Sequence, residues 1–279
     1  WQALLEQNVD AVVYTATGDG RTEQAIGDIL ACLQSGANVV TSSIYPLLYR
    51  SMVPDELMKY LDQVTATSGS SILVSGIDPG WAMDMLPVVL SGTVANIEEV
   101  RCQEIFNYAL YDQPDVVRNV IGFGCSMDEL PPMLQDFAMR TVWEPMVRMV
   151  ADGLGSPVDE VKTMVERLPL DETIEVPGMG VFEAGTQGAF RFEVQGYCDG
   201  HKRFVVEHIT RIDQRCAPDW PYPPEGQGCH RTLIKGSPNL EVTLHASDPF
   251  EEGAGAGGNA SAACRLVNSI PAVCDAPAG

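Results

Sequence analysis

Glu104 is the side chain in this sequence best placed to move a proton. It lies in Val100-Arg-Cys-Gln-Glu-Ile-Phe-Asn-Tyr108, where period-two alternation puts Cys102, Glu104, Phe106 and Tyr108 on one face of a strand. A carboxyl group among such apolar neighbours is expected to have its pKa raised toward a value useful for general acid–base work. Tyr108 and Tyr111 are expected to line the substrate pocket. Tyr45, beside Pro46 in a loop, is a second proton-handling candidate. A two-residue turn at Asp199-Gly200 sets Phe192 opposite Glu207 and Arg191 opposite His208. Glu207 then falls on a mostly apolar face, as a substrate ligand or as the partner of an arginine at a subunit interface. His208 is read as structural.

Other chemistries lack their residues. The eight cysteines form no C-x-x-C pair and no Cys/His cluster with zinc spacing, so no metal is expected. Cys229-His230 is an adjacent pair in a Pro/Gly-rich loop and a poor chelate by itself. Scattered cysteines in a chain of 279 residues read as reduced thiols of a cytoplasmic protein. Gly253-Ala-Gly-Ala-Gly-Gly258 fits G-x-G-x-x-G literally. It follows Asp248-Pro-Phe-Glu-Glu rather than a strand, and no strand with a ribose-binding acid comes after it, so it reads as a helix entry. A net charge of −21 argues against nucleic acid and anionic membranes, and no apolar run is long enough to span a bilayer. A small-molecule substrate as partner is what the family resemblance below implies.

The elements that must position these residues fall into two textures. Apolar runs at 11–15, 38–41 and 72–75 alternate with helical patterns at 22–33, 54–69 and 81–90, which indicates a parallel sheet with helices on its faces. From about residue 97 come a long strand to Tyr108, helices near 115–123 and 134–152, and a Ser156-Pro-Val-Asp159 cap that predicts a helix to Leu168. The Asp199-Gly200 hairpin, a 216–230 loop, a strand at 240–245 and a helix at 261–270 complete the chain. The expected architecture is α/β. It comprises the second half of a doubly wound sheet (1–93) and an α+β region with an antiparallel sheet (94–250); the family resemblance carried by the motifs below implies that the first is the C-terminal half of a Rossmann domain, the second a substrate and oligomerisation domain, and 251–279 a C-terminal helix returning to the first. The hairpin sheet is expected to bury one face in a homodimer.

Gly76-Ile-Asp-Pro-Gly-Trp-Ala-Met-Asp-Met-Leu-Pro87 resembles the G-x-N-P-G-F-x-x-D-x-L-P segment of the dihydrodipicolinate-reductase-like oxidoreductases, which include 2,4-diaminopentanoate dehydrogenases and native amine dehydrogenases. Val150-Ala-Asp-Gly-Leu-Gly155, Ala184-Gly-Thr186, Ala217-Pro-Asp-Trp-Pro221 and Val267-Asn-Ser-Ile-Pro271 are similar to further family segments, in consistent order. The resemblance implies an enzyme using NAD or NADP to act by hydride transfer on a C=O, C=N, CH-OH or CH-NH2 group. It implies cofactor contacts from Thr15, Ala16, Thr17 and Gly18, and from the Asp78, Pro79, Gly80, Trp81 turn near the nicotinamide. Ser43, Tyr108, Tyr111 and Glu207 are the residues expected on the substrate side. No His-His-x-x-Lys signature is present, so the lysine-pathway reaction is not expected. The stretch Thr41-Ser-Ser-Ile-Tyr-Pro46 carries no acid where amine dehydrogenases keep a glutamate, which leaves ketone or imine reductase, amine dehydrogenase and an inactive cofactor sensor or scaffold as alternatives. The glycine turn that opens such a domain is also missing, so the chain is expected to be cut short at both ends and to bind dinucleotide poorly by itself.

Overall fold

The computed structural model describes residues 2–18, 20–111, 113–250 and 254–279; Asp19, and Gly253 at the start of the glycine-rich stretch above, lie outside them. The chain divides into two units, residues 1–81 with 261–279, and residues 82–260.

In the first unit α1 (Gln2–Leu5), β1 (Ala11–Tyr14), α2 (Thr22–Gln34), β2 (Asn38–Thr41), α3 (Asp55–Ser68) and β3 (Ile72–Val74) alternate. The three strands form a parallel sheet in the order β1-β2-β3. Their β-branched runs suit a sheet covered on both faces. On one face Val39 joins Ala25, Ile29 and Leu33 of α2 with Leu61 and Val64 of α3. On the other, Val40 packs with Leu73 and with Leu266, Ile270 and Val273 of the chain's last helix. The helical spacing of Ala25, Ile29 and Leu33 produces this layer, because residues three and four apart share a helix face.

The second unit contains α4 (Met85–Ser91), β4 (Ala95–Asn107), a π-turn over Val116–Val120, α5 (Asp136–Gly153), β5 (Glu160–Pro169), β6 (Ile174–Val176), β7 (Gly180–Phe182), β8 (Gln187–Cys198), β9 (His201–Arg211), β10 (Gly228–Ser237) and β11 (Leu240–Leu244). The last helix, α6 (Ala254–Cys274), starts here and ends in the first unit, so Gly255, Gly257 and Gly258 are helical. Six strands form one sheet in the order β11-β10-β4-β9-β8-β5. The sheet is mixed: β4 and β9 run parallel, and the other neighbours antiparallel.

Three local readings are corrected. Residues 160–169 are a strand, not a helix. Val161, Met164, Val165 and Leu168 do have helical spacing, but pairing along β8 from Tyr197 to Gln187 outweighs it. The expected 216–230 loop gives way at Gly228 to β10, between β4 and β11. The hairpin turn forms as read, with Asp199 and Gly200 both at positive φ (50° and 76°). The register then shifts at Gly196/Tyr197, so Gly196 pairs with Phe204 and Phe192 pairs with His208 rather than Glu207. This one-residue shift swaps the faces of Glu207 and His208.

Glu207 therefore lies on the sheet face opposite Glu104. There Arg101 Nη1 donates to Glu207 Oε2 at 2.6 Å and to Glu193 Oε1 at 2.7 Å, and Gln103 Nε2 donates to Glu207 Oε2 at 2.8 Å. Burial alone would lower the pKa of the Arg101 guanidinium; the two carboxylates outweigh it and raise the pKa above its ordinary value.

Candidate active site

Three ionisable side chains stand in one row across adjacent strands of the second unit. Glu104 of β4 pairs in register with His230 of β10 on one side and His208 of β9 on the other. All three are buried, at 9%, 6% and 5% exposure. His208 Nδ1 lies 3.2 Å from Glu104 Oε1, and the Tyr108 hydroxyl donates to the same oxygen at 3.2 Å. His230 Nε2 lies 3.7 Å from the second oxygen, Oε2.

Aromatic rings form the walls. His208 stacks on Phe192 (4.7 Å between centroids, 9° between planes) and meets the edge of Trp143 from α5 at 4.9 Å. Phe106 lies edge-on to His230 at 5.3 Å, and Tyr108 contacts Tyr111 at 5.2 Å and Phe123 at 6.4 Å. Tyr108 opens the short turn Tyr108–Leu110 just beyond β4, which carries its hydroxyl back over Glu104.

The electrostatics correct the expectation for Glu104. Burial does push its pKa up, but His208, by charge and by hydrogen bonding, together with the neighbouring His230, more than offsets this and holds it well below the usual carboxylate range. Alternation along β4 did not reveal these neighbours, because both histidines come from other strands. Glu104 is thus an ionised carboxylate, suited to stabilising positive charge rather than to donating a proton. The Tyr111 hydroxyl is pushed up by burial and by the charge of Glu104.

The remaining residues singled out by sequence sit in the first unit, at the carboxyl ends of its parallel strands. Thr15, Ala16 and Thr17 are exposed beyond β1, and the Thr17 carbonyl accepts from Arg21 Nη1 at 3.0 Å. Arg21 also donates to the Tyr14 hydroxyl and to Asp28, which ties the turn to α2. Gly18 is buried, and a Cβ there would overlap the Ser43 carbonyl oxygen. Ser43 is buried, with its hydroxyl donating to the Tyr14 carbonyl at 3.4 Å. Tyr45 is half-buried and begins the turn Tyr45–Leu48.

After β3, Ser75 Oγ donates to the Gly80 carbonyl at 3.1 Å and accepts from Arg265 Nε at 3.2 Å. Arg265 also lies over the half-buried Trp81 ring at 5.6 Å. Asp78 is half-buried and Pro79 buried in the same turn. Gly80 has φ 122°, and a Cβ on it would overlap the Gly76 nitrogen. Gly80→Ala is therefore expected to destabilise the first unit by about 2 kcal/mol or more. Urea unfolding at the wild-type midpoint would contradict that reading of the turn.

A parallel βα sheet with exposed turns at its carboxyl ends is joined in one chain to a mixed-sheet unit bearing a buried carboxylate–histidine cluster, an α/β arrangement in which ligands bind at the carboxyl ends of the parallel strands. The comparisons with known proteins agree. Residues 81–279 match the family of the 2,4-diaminopentanoate dehydrogenase C-terminal domain. An amine dehydrogenase of Streptomyces virginiae is 46% identical over the whole of this chain, which spans 77% of that protein. The 2,4-diaminopentanoate dehydrogenase of Acetoanaerobium sticklandii is 23% identical, covering 99% of this chain and 73% of its own. Among solved structures, the amine dehydrogenase of Mycobacterium smegmatis shares the fold, with a TM-score of 0.71 at 20% identity, over 100% of this chain and 76% of that one. The chain belongs to the 2,4-diaminopentanoate dehydrogenase C-terminal domain family and is an NAD(P)-dependent oxidoreductase. No helix among the described residues is long and apolar enough to cross a membrane.

Proposed function

We propose that the protein is a dehydrogenase of primary amines, oxidising a CH-NH2 carbon or, in reverse, reducing the corresponding imine. The observation that carries this reading is the ionised, buried Glu104. When hydride leaves a carbon bearing nitrogen, positive charge develops on the C–N unit, and a fixed carboxylate in a dry, aromatic-walled setting stabilises it. The same carboxylate opposes an alkoxide, which favours nitrogen substrates over alcohols. The 46% identity to an amine dehydrogenase supports the same choice.

Dinucleotide fits the first unit. Thr15–Thr17 present exposed backbone and hydroxyls at the carboxyl edge of a parallel sheet, where such sheets take their ligands. Thr15 to Gly18 and Asp78 to Trp81 would hold it, with Arg265 and Ser75 fixing the second turn. When bound, it supplies the acceptor or donor of the hydride. Tyr45 and Ser43 belong to the same unit as secondary substrate contacts, and Tyr108 and Tyr111 hold the substrate in the second unit. Glu207 is a structural ion-pair partner in this reading.

The partner is a second copy. α5 lies on the Glu104 face through Trp143, and α4 packs against α5. The opposite face holds Arg101, Gln103, Glu193 and Glu207 in a network already largely buried within one copy, and this ordered sheet face is where the second copy is proposed to pack. Sedimentation at micromolar concentration is expected to give a dimer, and a strict monomer would contradict it. Eight free thiols support a cytoplasmic location. The functional reading is tested by following reduction of NAD+ and NADP+ with a panel of short primary amines and the matching alcohols. Turnover of amines is expected; turnover of the alcohols alone would overturn it.

A further inference from the structure

The two oxygens of Glu104 are not equivalent. Oε1 is taken by the Tyr108 hydroxyl and His208 Nδ1. Oε2 lies 3.7 Å from His230 Nε2, beyond hydrogen-bond length. His230 is 94% buried by its 6% exposure, and its Nε2 makes no hydrogen bond among the described residues. A buried ring nitrogen left in that condition, 3.7 Å from a carboxylate oxygen, is an arrangement that a ligand atom completes. One nitrogen bearing hydrogens reaches both atoms with contacts of about 2.9 Å each.

We propose that Glu104 Oε2 and His230 Nε2 clamp the substrate's amino group, and that His230 is the catalytic base that takes its proton. This rests on the amine dehydrogenase reading. An ammonium group has no lone pair and cannot form a C=N bond. One N–H proton passes to His230 Nε2, and the nitrogen lone pair is freed. That pair would form the C=N bond as the C–H bond breaks; an oxidised dinucleotide, when bound, would supply the acceptor for the C–H electron pair as hydride. Water then releases the carbonyl product and ammonium. The imidazolium formed at His230 lies beside Glu104, which stabilises it in the manner of a carboxylate orienting a catalytic histidine. His208, stacked between Phe192 and Trp143, holds the other oxygen and so fixes the carboxylate's orientation.

The test uses the full-length protein with 2-aminobutane as probe, and His230→Gln, which keeps a polar atom at the Nε2 position without its basicity. It is expected to lower kcat about 100-fold or more. Calorimetric binding of the amine, without dinucleotide, is expected to weaken about tenfold, the loss of one good hydrogen bond to a charged group. Cooperative unfolding and NADH affinity should match the wild type. His230→Ala, should His230→Gln misfold, is expected to regain turnover with added imidazole. Wild-type turnover in His230→Gln would overturn the clamp and leave the dehydrogenase reading standing. Amine binding that depends on His230, in a protein that reduces neither NAD+ nor NADP+, would leave the clamp standing and remove the dehydrogenase reading.

Discussion

Glu104→Gln is expected to lower amine turnover about 100-fold or more and to leave dinucleotide affinity nearly unchanged. The amide keeps the length and shape of the side chain, and its oxygen can still accept from Tyr108. What it removes is the negative charge that faces His208 and His230 at 3.2 Å and 3.7 Å. Charge developing on the C–N unit then meets a neutral group, and the electrostatic contribution, commonly about 3 kcal/mol or more for one preorganised group, is lost. A pH dependence follows from the depressed pKa of Glu104. The charge is fully present above the ordinary carboxylate pKa and disappears only as pH falls through the lowered folded value, so Glu104 itself leaves activity unaffected across the neutral range. Steady-state kinetics of the variant decide the matter. If it turns over normally and merely unfolds at lower temperature, Glu104 is a structural carboxylate.

The largest stability effect is expected on the other face of the same sheet. Arg101→Met should cost about 3–5 kcal/mol, the range for breaking a buried ion pair by removing one partner. Glu193 and Glu207 are cross-strand neighbours, 7% and 3% exposed, and Arg101 Nη1 bridges them. Without it, two like charges face each other, and Lys202, 3.6 Å from Glu193, and the amides of Gln103 and Gln195 are left to compensate. The pH dependence has a definite sign. Burial raises the pKa of Glu193, but Arg101 outweighs it and the folded value is lowered. In the wild type this stabilises the fold above the ordinary carboxylate pKa and is lost as pH falls through the lowered value. In the variant, protonation relieves repulsion, so its deficit should shrink on acidification. Urea unfolding at neutral and acid pH measures both; equal stability of the two proteins at neutral pH would show that the bridge contributes nothing.

Much of the first unit is legible in the residues themselves. β-branched runs at 11–14, 38–41 and 72–74 and the Ala25, Ile29, Leu33 stripe carry their own periods, so strand and helix follow from local spacing. The position of Glu104 within its strand is equally local. Its electrostatic surroundings are not, because His208 and His230 reach it from strands about 100 and 126 positions along the chain. His208 was hidden by one unpaired residue: with the shift at Gly196/Tyr197, every later pair changes face. His230 was hidden because Gly228–Ser237 follows a Pro/Gly-rich stretch and becomes a strand through pairing with β4 and β11. The helix expected at 156–168 failed for the same reason, a non-local ladder overriding a local cap signal.

Direct transfer of a hydride from the nitrogen-bearing carbon of the substrate to the dinucleotide is the expected reaction. It is tested most directly by giving the full-length protein 2-aminobutane deuterated at carbon 2, with NAD+ or NADP+, and weighing the reduced dinucleotide by mass spectrometry. Direct transfer should place one deuterium in the reduced nicotinamide ring, with none acquired when the unlabelled amine is used in deuterated water. Reduced dinucleotide that carries no deuterium from the substrate, or no reduced dinucleotide from any primary amine, would contradict the account.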